Sequence, residues 1–275
     1  MYVVSRFTQE RRYAIEQQLT PTHRAIIKTL SIVRVATSKQ LERLHFISGN
    51  RGTRLRMCNY TLRRMTDLGV LVRWRRPNGG PGGGSEVFCY ALDRPGQLIA
   101  RPDSARRSKH WLYPYPDVTY LPHRLAVTEV YVLAHEAAAH GFTLKKYESE
   151  PICWRRLPMH TARTVRPDAY LSLADARYVY HWFIEVDMGT EWPKRINEKL
   201  KIYYRYYQSG YEQYDLKGVF PKVLFLVPDL ARKQQIEAVI HQQAHDARRL
   251  FRVELQSGAY EVLCNLCLND GDKLA

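Results

Sequence analysis

The chain has 275 residues and a mass of 32.2 kDa, with 42 Lys+Arg against 27 Asp+Glu, a formal net charge of +15 and a pI near 9.7. Apolar residues at 45% and aromatics at 12% supply a sizeable core and exclude wholesale disorder. No apolar run reaches the ~18 residues of a transmembrane helix. The opening Met-Tyr-Val-Val-Ser-Arg lacks the basic-then-apolar order of a signal peptide, and five scattered cysteines do not make a disulfide framework. The composition reads as a soluble, basic protein of the cytoplasm.

Charge is unevenly placed. Residues 1–120 carry 21 Lys+Arg and 8 Asp+Glu, whereas residues 121–275 carry 21 and 19. An N-terminal unit that meets a polyanion is expected, and its excess is mostly arginine, whose planar fork bonds two phosphate oxygens at once. Residues 1–19 read as a basic arm. Thr20-Pro21 then starts a helix, an N-cap followed by proline at the first helical position, with Ile26, Ile27 and Leu30 as its apolar face. Thr37 or Ser38 caps a second short helix through Leu41 and Leu44. Gly52-Thr53 precedes a third, running to about Leu68 and stopped by Gly69. Its Leu55, Cys58, Leu62 and Met65 recur at spacings of three and four, which predicts the buried stripe. Arg51, Arg54, Arg56, Asn59, Arg63 and Arg64 fall largely off it. Residues 70–74 and 86–92 read as strands around a glycine-rich stretch, 77–84, that cannot be regular structure.

Three helices followed by a hairpin flanked by Arg73, Arg75 and Arg76 make the layout of a winged helix-turn-helix over residues 20–93. Its third helix would enter the major groove of double-stranded DNA and its wing would track the backbone. The same layout serves protein docking, but six Arg or Asn side chains on one helix favour DNA. The glycine run is no phosphate-binding P-loop, because no Gly-Lys-Ser/Thr follows it. Residues 94–120, with four prolines, the basic run Arg101 to Lys109 and an aromatic cluster from Trp111 to Tyr115, read as a linker.

Residues 121–275 read as a second domain. A helix is expected from Pro122 to about His140, then strands at 143–149, 166–173 and 178–186, a helix from Pro193 through Ile196, Leu200, Tyr203 and Tyr207, a buried strand at 222–227 and a helix from about 231 to 250. The order αβββαβ implies a mixed sheet flanked by helices, so the chain as a whole is α+β or α/β. If the strands on either side of Asp175 pair, Asp168 and Glu185 arrive at the same end of the sheet. Hard cations such as Mg²⁺ or Mn²⁺ favour such clustered oxygens. The bland reading has Asp168 capping a turn and Glu185 and Asp187 facing solvent.

This order, with Pro167-Asp168 and then Glu185 followed two residues later by Asp187, resembles the PD-(D/E)XK nuclease fold. The resemblance implies that Asp168 and Glu185 are metal ligands, with Glu129 on the first helix completing the set. That superfamily usually has lysine where this chain has Asp187. Lys199 on the next helix is the candidate replacement, with Lys194 in reserve, to orient water or to stabilise charge at phosphorus. The run Glu185-Val186-Asp187-Met188-Gly189-Thr190-Glu191, with Lys199-Leu200, Tyr203-Tyr204, Arg166-Pro167-Asp168-Ala169 and His123-Arg124-Leu125, is similar to the replication-relaxation family of bacterial plasmids, integrative elements and phages, in which aspartate stands at the Asp187 position. That resemblance covers roughly residues 20–228 and implies a role in replication, DNA relaxation or mobilisation.

Other constellations are set aside. Cys264 and Cys267 with His241 and His245 have the residue types for zinc, but there is no second Cys-x₂-Cys, and zinc is not expected. No Gly-x-Ser-x-Gly elbow occurs. His135 and His140 read as structural. The tyrosines at 203, 204, 206 and 207 come without the histidine triad of a relaxase, and Tyr203 and Tyr207 read as a core face. The expectation is a DNA-binding protein of a mobile element with Mg²⁺-dependent nicking or cleaving activity, carried by Asp168, Glu185, Asp187 and Lys199. The alternatives are a non-catalytic accessory factor that recruits a relaxase, replication initiator or other element-encoded protein, and a winged-helix regulator that forms a homodimer. No membrane partner is expected.

Overall fold

A computed structural model describes residues 8–75, 88–100, 118–157 and 164–264. Arg76, the glycine-rich stretch 77–84, the basic and aromatic runs of 101–115 and Cys267 lie outside the described residues. The chain divides into two compact units, residues 1–128 and 129–275.

In the first unit, helix α1 (Gln9–Glu16) occupies the segment read as an arm, capped by Thr8 and buried through Ile15. Helix α2 (Pro21–Val33) starts where Thr20 predicts, and its cap is reciprocal: the His23 amide donates to Thr20 Oγ1, and the Thr20 amide donates to His23 Nδ1. Thr37 and Gln40 repeat that device at the start of α3 (Ser38–His45). The cap of α4 (Arg51–Asp67) is Asn50, whose Oδ1 accepts from the Thr53 amide at 2.9 Å. Strands β1 (Ala36–Thr37), β2 (Leu71–Arg75) and β3 (Phe88–Leu92) form an antiparallel sheet in the order β1-β3-β2.

Ile26, Ile27, Leu30, Leu41, Cys58, Leu62, Met65 and Leu71 make the core of this unit. Leu55 departs from expectation: it is 43% exposed, and Thr61 is buried instead beside Cys58, Leu62 and Met65. Periodicity identifies the face of a helix that is covered but not how far along its length the cover extends. Residues 94–100 form helix α5 rather than linker. Pro95 stands in its first turn, where a missing N–H costs nothing. Gly96 allows the helix to lie on the Val70 carbonyl, since a Cβ at this position would be 2.3 Å from that oxygen.

Helix α6 (Leu121–Glu136) contains the boundary between the units, which the end of the proline-rich stretch had suggested at residue 120. Leu121 and Leu125 pack with Val35 and Cys89, and Thr128 Oγ1 donates to the Val35 carbonyl at 2.7 Å.

The second unit is built on a five-stranded mixed sheet. Strands β4 (Thr143–Ser149), β7 (Ala169–Ala174) and β8 (Val179–Val186) are antiparallel neighbours, and β9 (Lys222–Val227) and β10 (Phe251–Leu255) continue parallel to β8, giving the order β10-β9-β8-β7-β4. Two short strands, β5 (Arg155–Arg156) and β6 (Thr164–Val165), pair with each other. Helix α7 (Pro193–Gln208) crosses from β8 to β9 and buries Ile196, Leu200, Tyr203 and Tyr206, so Tyr206 takes the deep place expected of Tyr207. After α8 (Tyr211–Asp215), the helix expected at 231–250 is two: α9 (Leu230–His241) and α10 (His245–Arg248). The break is held by Gln243, whose side chain donates to Val239 O and Asn197 Oδ1 while its carbonyl accepts from Arg248. A further helix, α11 (Ala259–Leu263), packs on β10.

Candidate functional site

The β7–β8 hairpin positions the acids. Asp175 closes its turn by accepting from the Arg177 and Tyr178 amides, each at 2.7 Å, and from the Tyr180 hydroxyl at 2.8 Å. With that register set, Ala169 stands opposite Ile184, and the Asp168 amide donates to the Ile184 carbonyl. Asp168 and Glu185 therefore share one end of the sheet. Asp168 Oδ2 accepts from the Val186 amide at 2.7 Å, which ties the acid to the strand beside it.

Side chains two apart on a strand share a face, so Phe183 and Glu185 both meet α7. The Phe183 ring packs on Tyr203, and the Tyr203 hydroxyl donates to Glu185 Oε1 at 2.6 Å. Lys199, one helical turn before Tyr203, places its Nζ 2.7 Å from Glu185 Oε2. Glu191 stands 3.4 Å from the same ammonium.

Burial pushes the Glu185 carboxyl up to about 7; Lys199 opposes the shift and the nearby Asp168 adds to it. Burial alone would lower the Lys199 pKa, but Glu185 and Glu191 outweigh it and hold the ammonium above its ordinary range. The two partners fare differently because the Lys199 side chain keeps 28% of its exposure, whereas Glu185 keeps 3%. The ammonium retains water; the carboxylate has lost it. Burial, and then Glu185, raise the Tyr203 phenol well above its usual value.

Asp187 belongs to a different arrangement from the one expected of it. It is buried, and both its oxygens accept from Arg232, Oδ1 from Nε at 3.0 Å and Oδ2 from Nη2 at 2.7 Å. Oδ1 also accepts from the Gly189 amide, and Arg232 Nη2 donates in addition to the Glu191 carbonyl at 2.7 Å. A carboxylate neutralised in this way is a brace for the loop at 187–192, and it neither faces solvent nor joins Asp168 and Glu185.

Glu129 is half-buried on α6, and among the described residues no three His, Cys, Asp or Glu side chains form a group that could hold a metal ion, so the expected three-acid set is not assembled. Glu185 is instead turned onto Lys199 and Tyr203. Lys194 is exposed on α7. His241 and His245 are exposed on separate helices, and Cys264 is buried. Arg232, Glu191 and Tyr203 were missed as parts of the site. Tyr203 carried a signal, four residues after Lys199, but Arg232 is 45 residues from Asp187 and carried none.

On the first unit, Arg51, Arg56, Asn59, Arg63 and Arg64 are exposed along α4. Tyr60, 63% exposed, lies with Arg56 and Arg63 at spacings of four and three, an aromatic on the same face that the arginine pattern had obscured. Arg54 is paired with Glu42 at 2.7 Å. Arg73 lies over the Phe88 ring, and Arg75 is exposed at the end of β2.

The sequence matches the profile of the replication-relaxation family over residues 27–223, most of its length, and the chain belongs to that family. A search of curated proteins finds no match. Among solved structures, the restriction endonuclease FokI bound to DNA is weakly similar: 11% identity and a TM-score of 0.30, covering 96% of this chain and 46% of that one. The chain thus spans less than half the length of that protein. No helix among the described residues is long and apolar enough to cross a membrane.

Proposed function

We propose that this chain is a DNA-processing protein in which the first unit holds double-stranded DNA and the second acts on a phosphodiester. The first unit is read as a winged helix: α2, α3 and α4 precede the β2–β3 pair, and α4 turns Arg56, Asn59 and Arg63 outward as a recognition helix does. Arg51, Arg64, Arg73 and Arg75 would meet phosphates, and Arg54 would have to leave Glu42 to join them.

The observation that carries the reading is the Asp168–Glu185–Lys199 constellation at the end of the sheet. Two neighbouring carboxylates fit one Mg²⁺ or Mn²⁺, because Mg²⁺ is commonly held by one or two protein carboxylates with waters and substrate phosphate completing its shell. Asp187, neutralised by Arg232, does not fit that role. A divalent cation there would supply Lewis acidity toward a phosphodiester oxygen and a more acidic water. Glu185, with its pKa at about 7, gives up its proton near neutrality. Lys199 favours the ionised carboxylate and offers a positive charge for negative charge growing at phosphorus. Tyr203 holds the carboxylate in one orientation through Oε1.

A non-catalytic accessory factor is the second reading, favoured by one observation: both Glu185 oxygens already have protein donors. Supercoiled plasmid incubated with the protein in Mg²⁺, Mn²⁺ or EDTA separates the two. Metal-dependent nicking that is lost in Asp168→Ala, Glu185→Ala and Lys199→Met is expected. DNA that is shifted but never cut, equally by wild type and variants, would move the chain to the accessory role.

A further inference from the structure

Trp192 is the N-cap residue of α7, one position after Glu191, and is 79% exposed. Its loop is not loose. Arg232 grips Asp187 at one end and the Glu191 carbonyl at the other, and Gly189 closes on Asp187 between them. At the far end, the Trp192 carbonyl accepts from the Arg195 and Ile196 amides as α7 begins. An exposed indole on a braced backbone loses little conformational freedom when something lies against it. It also stands beside the candidate site, since Glu191 contacts the Lys199 that pairs with Glu185.

The charge on α7 indicates what lies there. Lys194, Lys201 and Arg205 are exposed and, at intervals of seven and four, share one face of the helix, the side away from buried Leu200 and Tyr203. Glu198 is the one acid on that face. The three cations are spread over twelve residues, about 16 Å of helix from Lys194 to Arg205. An apolar protein partner would not need that stripe; a polyanion carrying flat aromatic groups would use both features.

We propose that Trp192 is a stacking platform for an unpaired DNA base and that Lys194, Lys201 and Arg205 carry the adjoining phosphates. The substrate of the second unit is thereby a strand with unpaired nucleotides, such as a single strand, gap or fork. Bases inside a duplex are stacked on one another and offer no face to an indole, whereas unpaired bases do. This deepens the DNA-processing reading and rests on it.

The test uses the full-length chain with labelled oligo(dT) and with a duplex of equal length, followed by anisotropy across a salt series. Trp192→Ala should bind oligo(dT) roughly 5- to 140-fold more weakly, the range for loss of one base–aromatic stack. Trp192→Phe should retain most of the affinity, and duplex binding should be unchanged in both. Lys201→Ala with Arg205→Ala should flatten the salt dependence for oligo(dT) alone. Equal oligo(dT) affinity in wild type and Trp192→Ala overturns the proposal, as does an equal loss for duplex. Failure of the underlying reading looks different: the wild-type chain then binds neither DNA.

Discussion

Replacing Glu185 by Gln tests the electrostatics of the site quantitatively. The carboxyl is shut away from water and its pKa stands at about 7 in place of the ordinary 4.5. Folding thus raises the proton affinity of this group, so the stability linked to it is fully present below about pH 4.5 and is lost as pH rises through about 7. At 1.36 kcal/mol per unit, that gap disfavours the ionised fold by about 3 kcal/mol. Lys199 titrates above its ordinary 10.5 and adds no slope near neutrality. Gln keeps the shape and an acceptor for Tyr203 but exchanges no proton. Relative to wild type, Glu185→Gln should therefore gain about 2–3 kcal/mol as pH rises from about 5 to about 8. Urea unfolding of both proteins in EDTA, read by tryptophan fluorescence at each pH, measures the difference, and titrating groups remote from Glu185 cancel. Parallel pH curves, or a wild type that gains on the variant as pH rises, would refute the reasoning.

Two further outcomes follow from packing. Arg232→Met leaves the Asp187 carboxylate buried without its cation and should cost about 3–5 kcal/mol; an unchanged urea midpoint would show that the pair is not the brace described. Gly96→Ala forces a Cβ against the Val70 carbonyl oxygen, a backbone atom that cannot swing aside, and should destabilise the first unit by about 1–3 kcal/mol. Thermal unfolding checks this, and a raised midpoint would mean that α5 shifts without cost.

What could be read from the sequence is what local chemistry specifies. The proline that leads β7, the β-forming residues of β8 and the Asp175 turn between them bring Asp168 and Glu185 together, and helical spacing brings Lys199 round to the same face as Tyr203. Helix starts at Thr20 and Thr37 were legible because a cap bonds within three residues of itself. The unread parts depend on contacts between distant segments. Arg232 looks like any surface arginine until β9 returns α9 to the end of β8, and then it becomes the partner of Asp187. Asp187 was read by its position in a motif, where its neighbours in space decide its role. Pro95 and Gly96 look like breakers in a linker, yet one sits harmlessly in a first turn and the other makes room for close approach. Leu55 obeys the period of its helix and still faces water.

The outer strand of the five-stranded sheet also bears on how the protein behaves at high concentration. Among the described residues β4 has a sheet neighbour only on the β7 side, and an open strand edge is a template for pairing with another copy. Here the register slips between Leu144 and Lys146, and Lys145 and Lys146 are exposed at that place. A second molecule approaching this edge meets an irregular hydrogen-bonding ladder, the exposed Lys145, and a Lys146 ammonium already paired with Glu148 at 2.7 Å. Irregular and lysine-bearing, the β4 side of the sheet that carries the acidic site is a poor template for one more strand.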